Sequence, residues 1–578
     1  MINQNLVVLD VKNIDGFYKN YNSPTVSFFL NINFSVDREE ICSYQNRMQS
    51  VFPGFKINDS DCVSVLYIFK AMYRLAWAKS DISFVNFAEY EIKSSFEIFC
   101  VVKSLGESSQ HINVFLKYLC NYVESFVLHD DDEFNKNTDL FFDFMRKYIK
   151  NILPGQNNKL LIRAATTLNI PWVKLSPTVI QIGWGKKSKL FNSSFSEITS
   201  SIAVNLSNNK LLCSNLLKDI GLPVMPNMLV SSAQIAVKFA NKFGYPLVIK
   251  PVNGAKGVGV YSKLNNEIEL VDAFNKCSSL YSKVMIEKFY PGKDYRFVVV
   301  DGVVVRAVER IPCFVQGDGV HTVEELIKVL NDKRLTEYNG FGLIYPDSEM
   351  IELLSKRNLT LNYIPQLSEK IELRNIANIS LGGSLISVLD IAHKDNIELA
   401  KSAALNMRLD ISGVDILIND ISKSWKDTGA HICEVNAQPQ LTSDMAQFIL
   451  EKRLCNDGRI PVFVVVLDDI KSCNKLLNIG KSGIEIIYVE EHSPRKSSFE
   501  YYKLFNSAIK NLSTEKIFVI YNSNDIKGAT VFPFDVCNVL YDFSSENIQL
   551  LSPCLHNKAL DIVIEDVCNF ENFIKLIN

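Results

Sequence analysis

Between Val284 and Pro312 the sequence reads VMIEKFYPGKDYRFVVVDGVVVRAVERIP, three strand-like runs in close succession. β-Branched and aromatic side chains at this density fit a pleated, half-buried surface. Asp301-Gly302 stands where two of the runs meet, and this pair favours the two-residue turn of a tight hairpin. The region is therefore committed to an antiparallel sheet. Farther on, ISGVDILI and HICEVN read as another antiparallel pair near the end of the same domain.

What flanks this sheet sets the rest of the organisation. Upstream come a helix ending at Gly221, a second over Ala233–Phe243, the strand PLVIKP and the glycine-rich NGAKGVGV. The first part of the chain mixes strand runs such as Val26–Ile32 with helical patterns such as Val63–Lys79 and Leu140–Ile152, an α+β texture. LLIRAATTLNIPWVKL reads as helix, turn and strand, followed by the Gly183 and Gly185 loop. The last stretch alternates strands (RIPVFVVVL, GIEIIYV, EKIFVIY, VCNVLYDF) with helical segments, as a parallel α/β layer does. With 578 residues the chain needs several cores. We expect an α+β domain over 1–195, a central domain over 196–455 and a small α/β domain over 456–578.

Composition narrows the function class. Lys and Arg number 61 against 64 Asp and Glu, which gives no electrostatic reason to expect nucleic acid or a charged membrane as partner. The 13 cysteines include no Cys-x-x-Cys pair, so a structural zinc site is not expected. Asp10 and Lys12 interrupt any signal-peptide core, and no apolar run approaches the roughly 20 residues of a membrane span. A soluble cytoplasmic protein with reduced thiols is expected.

Two groups of residues carry chemistry. Lys250 ends a strand, and Gly254, Gly257 and Gly259 follow where backbone N–H groups can approach phosphate without a Cβ in the way. An ordinary hairpin turn would have the same composition. In Glu434-x-Asn436 the two side chains share one strand face, and Asp415 on a neighbouring strand can join them. Three hard oxygen donors suit Mg2+. Each carboxylate alone could equally be a solvated strand residue, but the upstream lysine and glycine loop favour the nucleotide-binding reading.

These phrases, together with SSIAVNLSNNKLLCSNLLKDIGLPV, VQGDGVHTVEELI, LRNIANISLGGS and ICEVNAQPQL, resemble the ATP-grasp superfamily and, within it, the amide ligase half of cyanophycin synthetase. The resemblance runs over about Lys159 to Leu441, with a fainter echo at VFPGF. It implies a central ATP-grasp fold, and a chain that is α/β and α+β multidomain as a whole. It assigns Lys210 and Lys250 to the ATP phosphates, and Gly254, Lys256, Gly257 and Gly259 to the loop that covers them. Glu287, Lys288, Phe289 and Tyr290 match the adenine hinge, and Asp294 the ribose-binding acid. Arg296 and Arg310 match phosphate-facing arginines, and Asp415, Glu434 and Asn436 the magnesium ligands. Arg374, Asn378, Ser380, Gly382 and Gly383 match the segment that holds the acyl acceptor side and its developing negative charge.

The chemistry so implied is attack of a carboxylate on the γ-phosphate of ATP and then of an amine on the acyl phosphate, with no protein nucleophile. His321 and His393 offer themselves as bases, but this chemistry does not demand one. The sequence departs from the pattern at Ala255-Lys256-Gly257-Val258, at Pro439-Gln440, and after GRIPVFVVV. There a phosphate loop would require Gly-Lys-Thr, and the chain continues LDDIKSCN, with Asp468, Asp469 and Ile470 supplying bulk and negative charge. The resemblance implies a Mur-ligase-like domain at this place, so the last segment reads as a shortened, non-catalytic remnant of one, or as an unrelated small α/β domain. One working site implies one kind of bond: extension of a cyanophycin-type chain from β-aspartyl-arginine dipeptides, or synthesis of a small peptide from amino acids. A nucleotide-binding scaffold is the reading from another class. ATP and Mg2+ are the expected cofactors, an amino acid, dipeptide or cyanophycin-like peptide the substrate, and a homo-oligomer the assembly.

Overall fold

The computed structural model describes residues 6–14, 24–32, 65–78, 87–93, 97–105, 109–128, 131–152, 155–253, 258–337, 342–374, 377, 379–454, 457–467, 483–489, 498–522, 539–543 and 561–564. Gly254, Lys256, Gly257, Asn378, the VFPGF phrase and Asp468 to Ile470 lie outside them. The chain forms two compact units, one from 1–197 with 440–578 and the other from 198–439.

In the first unit a four-stranded antiparallel sheet, with Leu6–Ile14 and Thr25–Ile32 adjacent, accompanies the helices Val65–Ala78, Ser109–Leu128 and Asp131–Ile152. A small meander over Trp172–Lys174, Val179–Ile182, Lys189–Asn192 and Phe195–Ser196 follows the Gln156–Thr167 helix. A wholly parallel sheet holds, from one edge to the other, Ile484–Val489, Lys516–Asn522, Val462–Leu467, Val539–Phe543 and Asp561–Ile564. Its central strand VFVVVL has Val464, Val465 and Val466 fully buried, as a strand covered on both faces requires.

The meander and the parallel sheet meet through backbone. A Cβ on Gly185 would stand 2.3 Å from the Thr514 carbonyl oxygen, and one on Gly183 2.9 Å from that of Gly458. The Trp184 and Lys186 amides donate to the carbonyls of Gly458 and Thr514. Gln181, fully buried, donates through Nε2 to Ile509 O at 2.9 Å, and Trp184 meets Phe505 edge-on.

The second unit has two layered halves. One is a four-stranded antiparallel sheet of Tyr261–Leu264, Leu247–Pro251, Val284–Lys288 and Asn227–Val230. Two helices cover it, and their spacing shows why. Ala233–Phe243 buries Ala236, Phe239 and Ala240, and Glu267–Leu280 buries Leu270, Ala273, Phe274 and Cys277, one face of a 3.6-residue repeat in each case. Ser232 and Asn266 cap the helices through their side-chain oxygens.

The other half is a five-stranded antiparallel sheet in the order Ser384–Ser387, Val303–Ile311, Lys293–Val300, Ile411–Ile418, Ala430–Asn436. Asp301 and Gly302 make the expected turn, both at positive φ (47° and 75°). The Lys394–Asn406 helix lays Leu399, Ala400, Ala403 and Ala404 against this sheet. Between Ile311 and Ser384 the chain inserts a lobe with its own small core around Val323, Ile327, Met350 and Ile371. No described helix is long and apolar enough to cross a membrane.

Candidate active site

The site is a row of charges on one face of the five-stranded sheet. Cross-strand pairing sets Glu434 opposite Asp415, Asp415 opposite Arg296, and Asp294 opposite Arg310. The register slips once, because Ile416 pairs with Ile432 while Asp415 pairs with Glu434, so Cys433 bulges out. The slip falls before Glu434, and Glu434 and Asn436 keep their common face.

Asp415, 1% exposed, lies at the centre. Arg296 grips it through both forks, Nε to Oδ1 at 2.6 Å and Nη2 to Oδ2 at 2.7 Å, while Arg310 Nη2 lies 2.9 Å from Oδ2. Burial works against the carboxylate, but the two guanidiniums outweigh it and hold its pKa down at about 2. Arg310 also donates to Asp294 Oδ1 at 2.7 Å; there burial wins and lifts the carboxyl above its ordinary value. Asn436 Nδ2 approaches Glu434 Oε1 at 3.1 Å and Asp415 Oδ2 at 3.4 Å, so the three oxygen-bearing ends converge.

Two lysines face this row. Asn209 caps the Lys210–Asp219 helix, which sets Lys210 at its first position, with its amide on Val252 O and its ammonium 3.0 Å from Glu434 Oε2. Lys250, on the four-stranded sheet, is 7% exposed and pairs with Glu287 Oε2 at 2.7 Å. Burial opposes its charge, yet Glu287, Cys433 and Glu434 together leave its pKa above the ordinary lysine value. Arg296, Arg310 and Lys210 thus face Asp294, Asp415 and Glu434, three charges against three, in an arrangement able to trade these partners for phosphate oxygens and a hard cation.

The remaining sequence-based candidates fall in three places. Lys288 Nζ donates to the carbonyls of Gly244 and Tyr245, tying the strand to the end of the Ala233–Phe243 helix. Phe289 bonds Pro246 O through its amide, and the Tyr290 ring stands edge-on to His431 at 4.5 Å. Gly259 has φ +76°, and a Cβ there would meet the Tyr281 ring at 2.7 Å. Arg374 lies in the inserted lobe, 3% exposed, forked onto Asp347 at 2.7 and 2.8 Å, and Ser380, Gly382 and Gly383 follow in the turn leading to the Ser384–Ser387 strand. The histidines have structural partners. His321 is exposed and bonded to Asp318 beside a capping box of Thr322 and Glu325, and His393 accepts the Asp395 amide at the start of a helix.

Sequence reasoning missed Asp347 and Arg334. Asp347 had a readable signal as the N-cap of Ser348–Ser355. Arg334 in NDKRL had none, since a charge run on a helix is ordinarily solvated.

Lys250 on the four-stranded sheet and Lys210 at the start of its helix thus face an Asp, Glu and Asn set on the five-stranded sheet, the arrangement expected from the resemblance to ATP-grasp ligases. Residues 216–334 match the family model described as D-ala D-ala ligase C-terminus. The chain is similar to cyanophycin synthetases: 35% identical over 292 residues to that of Crocosphaera subtropica, covering 49% of this chain and 34% of that protein. To that of Synechocystis it is 28% identical over 371 residues, covering 59% and 42%. The glutathione biosynthesis bifunctional protein of Clostridium perfringens is 34% identical over 208 residues, 34% of this chain and 26% of that one. The chain therefore spans about a third to two fifths of the cyanophycin synthetases it matches. A bifunctional glutathione synthetase from Pasteurella multocida superposes with a TM-score of 0.40 at 15% identity, over 74% of this chain and 82% of that one.

Proposed function

We propose that the 198–439 unit binds Mg-ATP and joins a carboxylate to an amine, extending a cyanophycin-type chain with β-aspartyl-arginine units at a single site. The observation that carries this reading is the convergence of Asp415, Glu434 and Asn436 beneath Lys210 and the two arginines. The Asn436 amide donates through Nδ2 to both carboxylates, and a half-turn of that amide about its last bond would put its oxygen beside them, a donor set that fits a hard cation with open positions for phosphate. Among the described residues no three His, Cys, Asp or Glu side chains are placed to hold a metal by themselves, so this reading depends on the Asn436 amide as third donor. When bound, Mg2+ would neutralise charge on the transferring phosphoryl group.

The chain's own part is positioning. Lys210 and Lys250 hold phosphate oxygens, Arg296 and Arg310 supply planar forks, and the Glu287–Tyr290 strand end with Asp294 takes the nucleoside. The carboxylate oxygen of the donor attacks the γ-phosphorus and ADP departs. The amine then attacks the acyl carbon, phosphate departs and the amine nitrogen loses a proton. Arg374 and the Ser380–Gly383 turn, with Asn378, serve the acyl side.

We carry the three-part division at 195 and 455, the cytoplasmic homo-oligomer and the non-catalytic carboxy-terminal remnant as parts of the same proposal. The parallel sheet that begins at Val462 is compatible with the last of these and equally with an unrelated small α/β domain. Small-peptide synthesis is the second reading, favoured by the 34% identity over 208 residues to a glutathione biosynthesis protein. The deciding experiment is ADP release by purified protein across amino acids, β-aspartyl-arginine and a cyanophycin primer, with mass spectrometry of the products. Primer lengthening with the dipeptide supports the first reading. Product from free amino acids alone supports the second, and no ADP with any pair refutes both.

A further inference from the structure

Arg334 sits in the last turn of the Val323–Glu337 helix, where a basic residue ordinarily reaches into solvent, yet it is 5% exposed. A guanidinium that deep requires acceptors. Its Nη2 donates to the carbonyl oxygens of two successive buried residues, Gly382 and Gly383, the second at 2.8 Å. One side chain thus fixes two peptide planes.

The turn is clamped from other sides as well. Gly382 has φ +92°, and a Cβ on it would lie 2.5 Å from Ile344 Cγ1 and 2.8 Å from Cys313 Sγ. A Cβ on Gly342 would come within 2.2 Å of Ile379 O and 3.7 Å of Arg334 Nη1. The Gly382 amide donates to Ile379 O at 3.1 Å, and Ser384 beyond it pairs with Ile311, one residue from Arg310.

In a trans peptide the C=O and N–H point in opposite directions. With both carbonyls drawn to Arg334, the N–H groups of the same two planes, those of Gly383 and Ser384, are turned away from it; the register commits the Ser384 N–H to Ile311 in the strand pair, and the Gly383 N–H is the one the turn presents. A cation on the carbonyl also polarises the amide and strengthens its N–H as a donor. A cavity of about 360 Å³ adjoins the turn, lined by Leu343, Ile344, Leu381 and the Arg374–Asp347 pair, within the size range of small-molecule sites.

We propose that Arg334 is a positioning residue for the ligase reaction: by holding the Gly382 and Gly383 carbonyls it fixes the amide face of the turn that serves the acyl group's developing negative charge. This rests on the ligase reading of Gly382 and Gly383. Arg334 itself touches no reacting atom, and its effect passes through the turn.

The test compares Arg334→Gln and Arg334→Lys with the parent protein by hydrogen exchange over 379–384 and by ADP-release kinetics. Arg334→Gln is expected to raise exchange in that segment and to lower kcat by about 10²-fold, the cost of a small misplacement of positioning groups, with KM for ATP unchanged. Arg334→Lys, a point donor that reaches one carbonyl, is expected to recover part of both. Parental exchange in folded Arg334→Gln, a kcat loss matched by a rise in KM for ATP, or a lysine variant no better than glutamine overturns the assignment. If the glutamine variant does not fold, the lysine variant decides: intermediate exchange and kcat support the clamp, and parental values of both overturn it. A parent protein that releases no ADP with any substrate pair refutes the ligase reading instead, and exchange over 379–384 then still tells whether Arg334 holds the turn.

Discussion

Replacing Asp415 by Asn tests the centre of the charge row. The carboxylate accepts two N–H groups from Arg296 and lies 2.9 Å from a third on Arg310, inside a sheet face where it is 1% exposed. The amide removes the charge that offsets two guanidiniums and turns one acceptor into a donor facing donors. Breaking a buried pair from one side costs about 3–5 kcal/mol, and because asparagine keeps one acceptor the lower end, about 3 kcal/mol, is expected. In a unit of this size that lowers the thermal midpoint by about 6–12 °C without abolishing the fold. Scanning calorimetry measures the shift, and ADP release from the same preparation should be lost with the metal carboxylate. A midpoint within about 1 °C of the parent, or full turnover at ordinary Mg2+, would refute the reasoning.

Glu434→Gln, at a carboxylate more exposed than Asp415 and paired with Lys210 at 3.0 Å and more loosely with Arg296 at 4.0 Å, should abolish ADP formation with a stability loss of no more than about 1 kcal/mol; full turnover would remove it from the metal set. Lys250→Ala should weaken calorimetric ATP affinity, and an unchanged affinity refutes its phosphate role. With the Asp415 carboxyl held near pH 2, below the ordinary ~3.9, its contribution to stability is present above the higher value and is lost as pH falls toward the lower one. Urea titrations across that window should show the loss in the parent but not in Asp415→Asn. In a Lys210→Ala/Lys250→Ala variant confirmed to be folded, one ATP site per chain should disappear and none remain; a surviving stoichiometric site would show a working second ligase at the carboxy-terminal end.

The legible parts of the molecule are those in which a short pattern dictates its own geometry. Asp301-Gly302 announces a turn because few other residues accept two positive φ values in succession. Glu434 and Asn436 share a face because strand side chains alternate, and Ala236, Phe239 and Ala240 mark a buried helix stripe at any location. What stayed hidden depends on neighbours distant in sequence. The bulge at Cys433 arises from register with another strand, and nothing within HICEVN foretells it. Arg374 gives no hint that its partner is Asp347, nor Lys288 that its ammonium serves the carbonyls of Gly244 and Tyr245. Gly185 beside two lysines reads as a loop residue; only the fold reveals the Thr514 carbonyl that leaves no room for a side chain.

That last contact bears on the order in which the protein takes shape during synthesis. The 198–439 module is one continuous stretch, whereas its companion unit is built from chain on both sides of it. A ribosome delivers the whole module before it has made Gly458, Ile509 or Thr514, against which Gly183, Gln181 and Gly185 close. Domains fold as units as they emerge, so the 198–439 unit reaches its native pairing first. The meander over Trp172–Ser196 meanwhile holds a buried face open, to be covered when the residues around Gly458, Ile509 and Thr514 have been made.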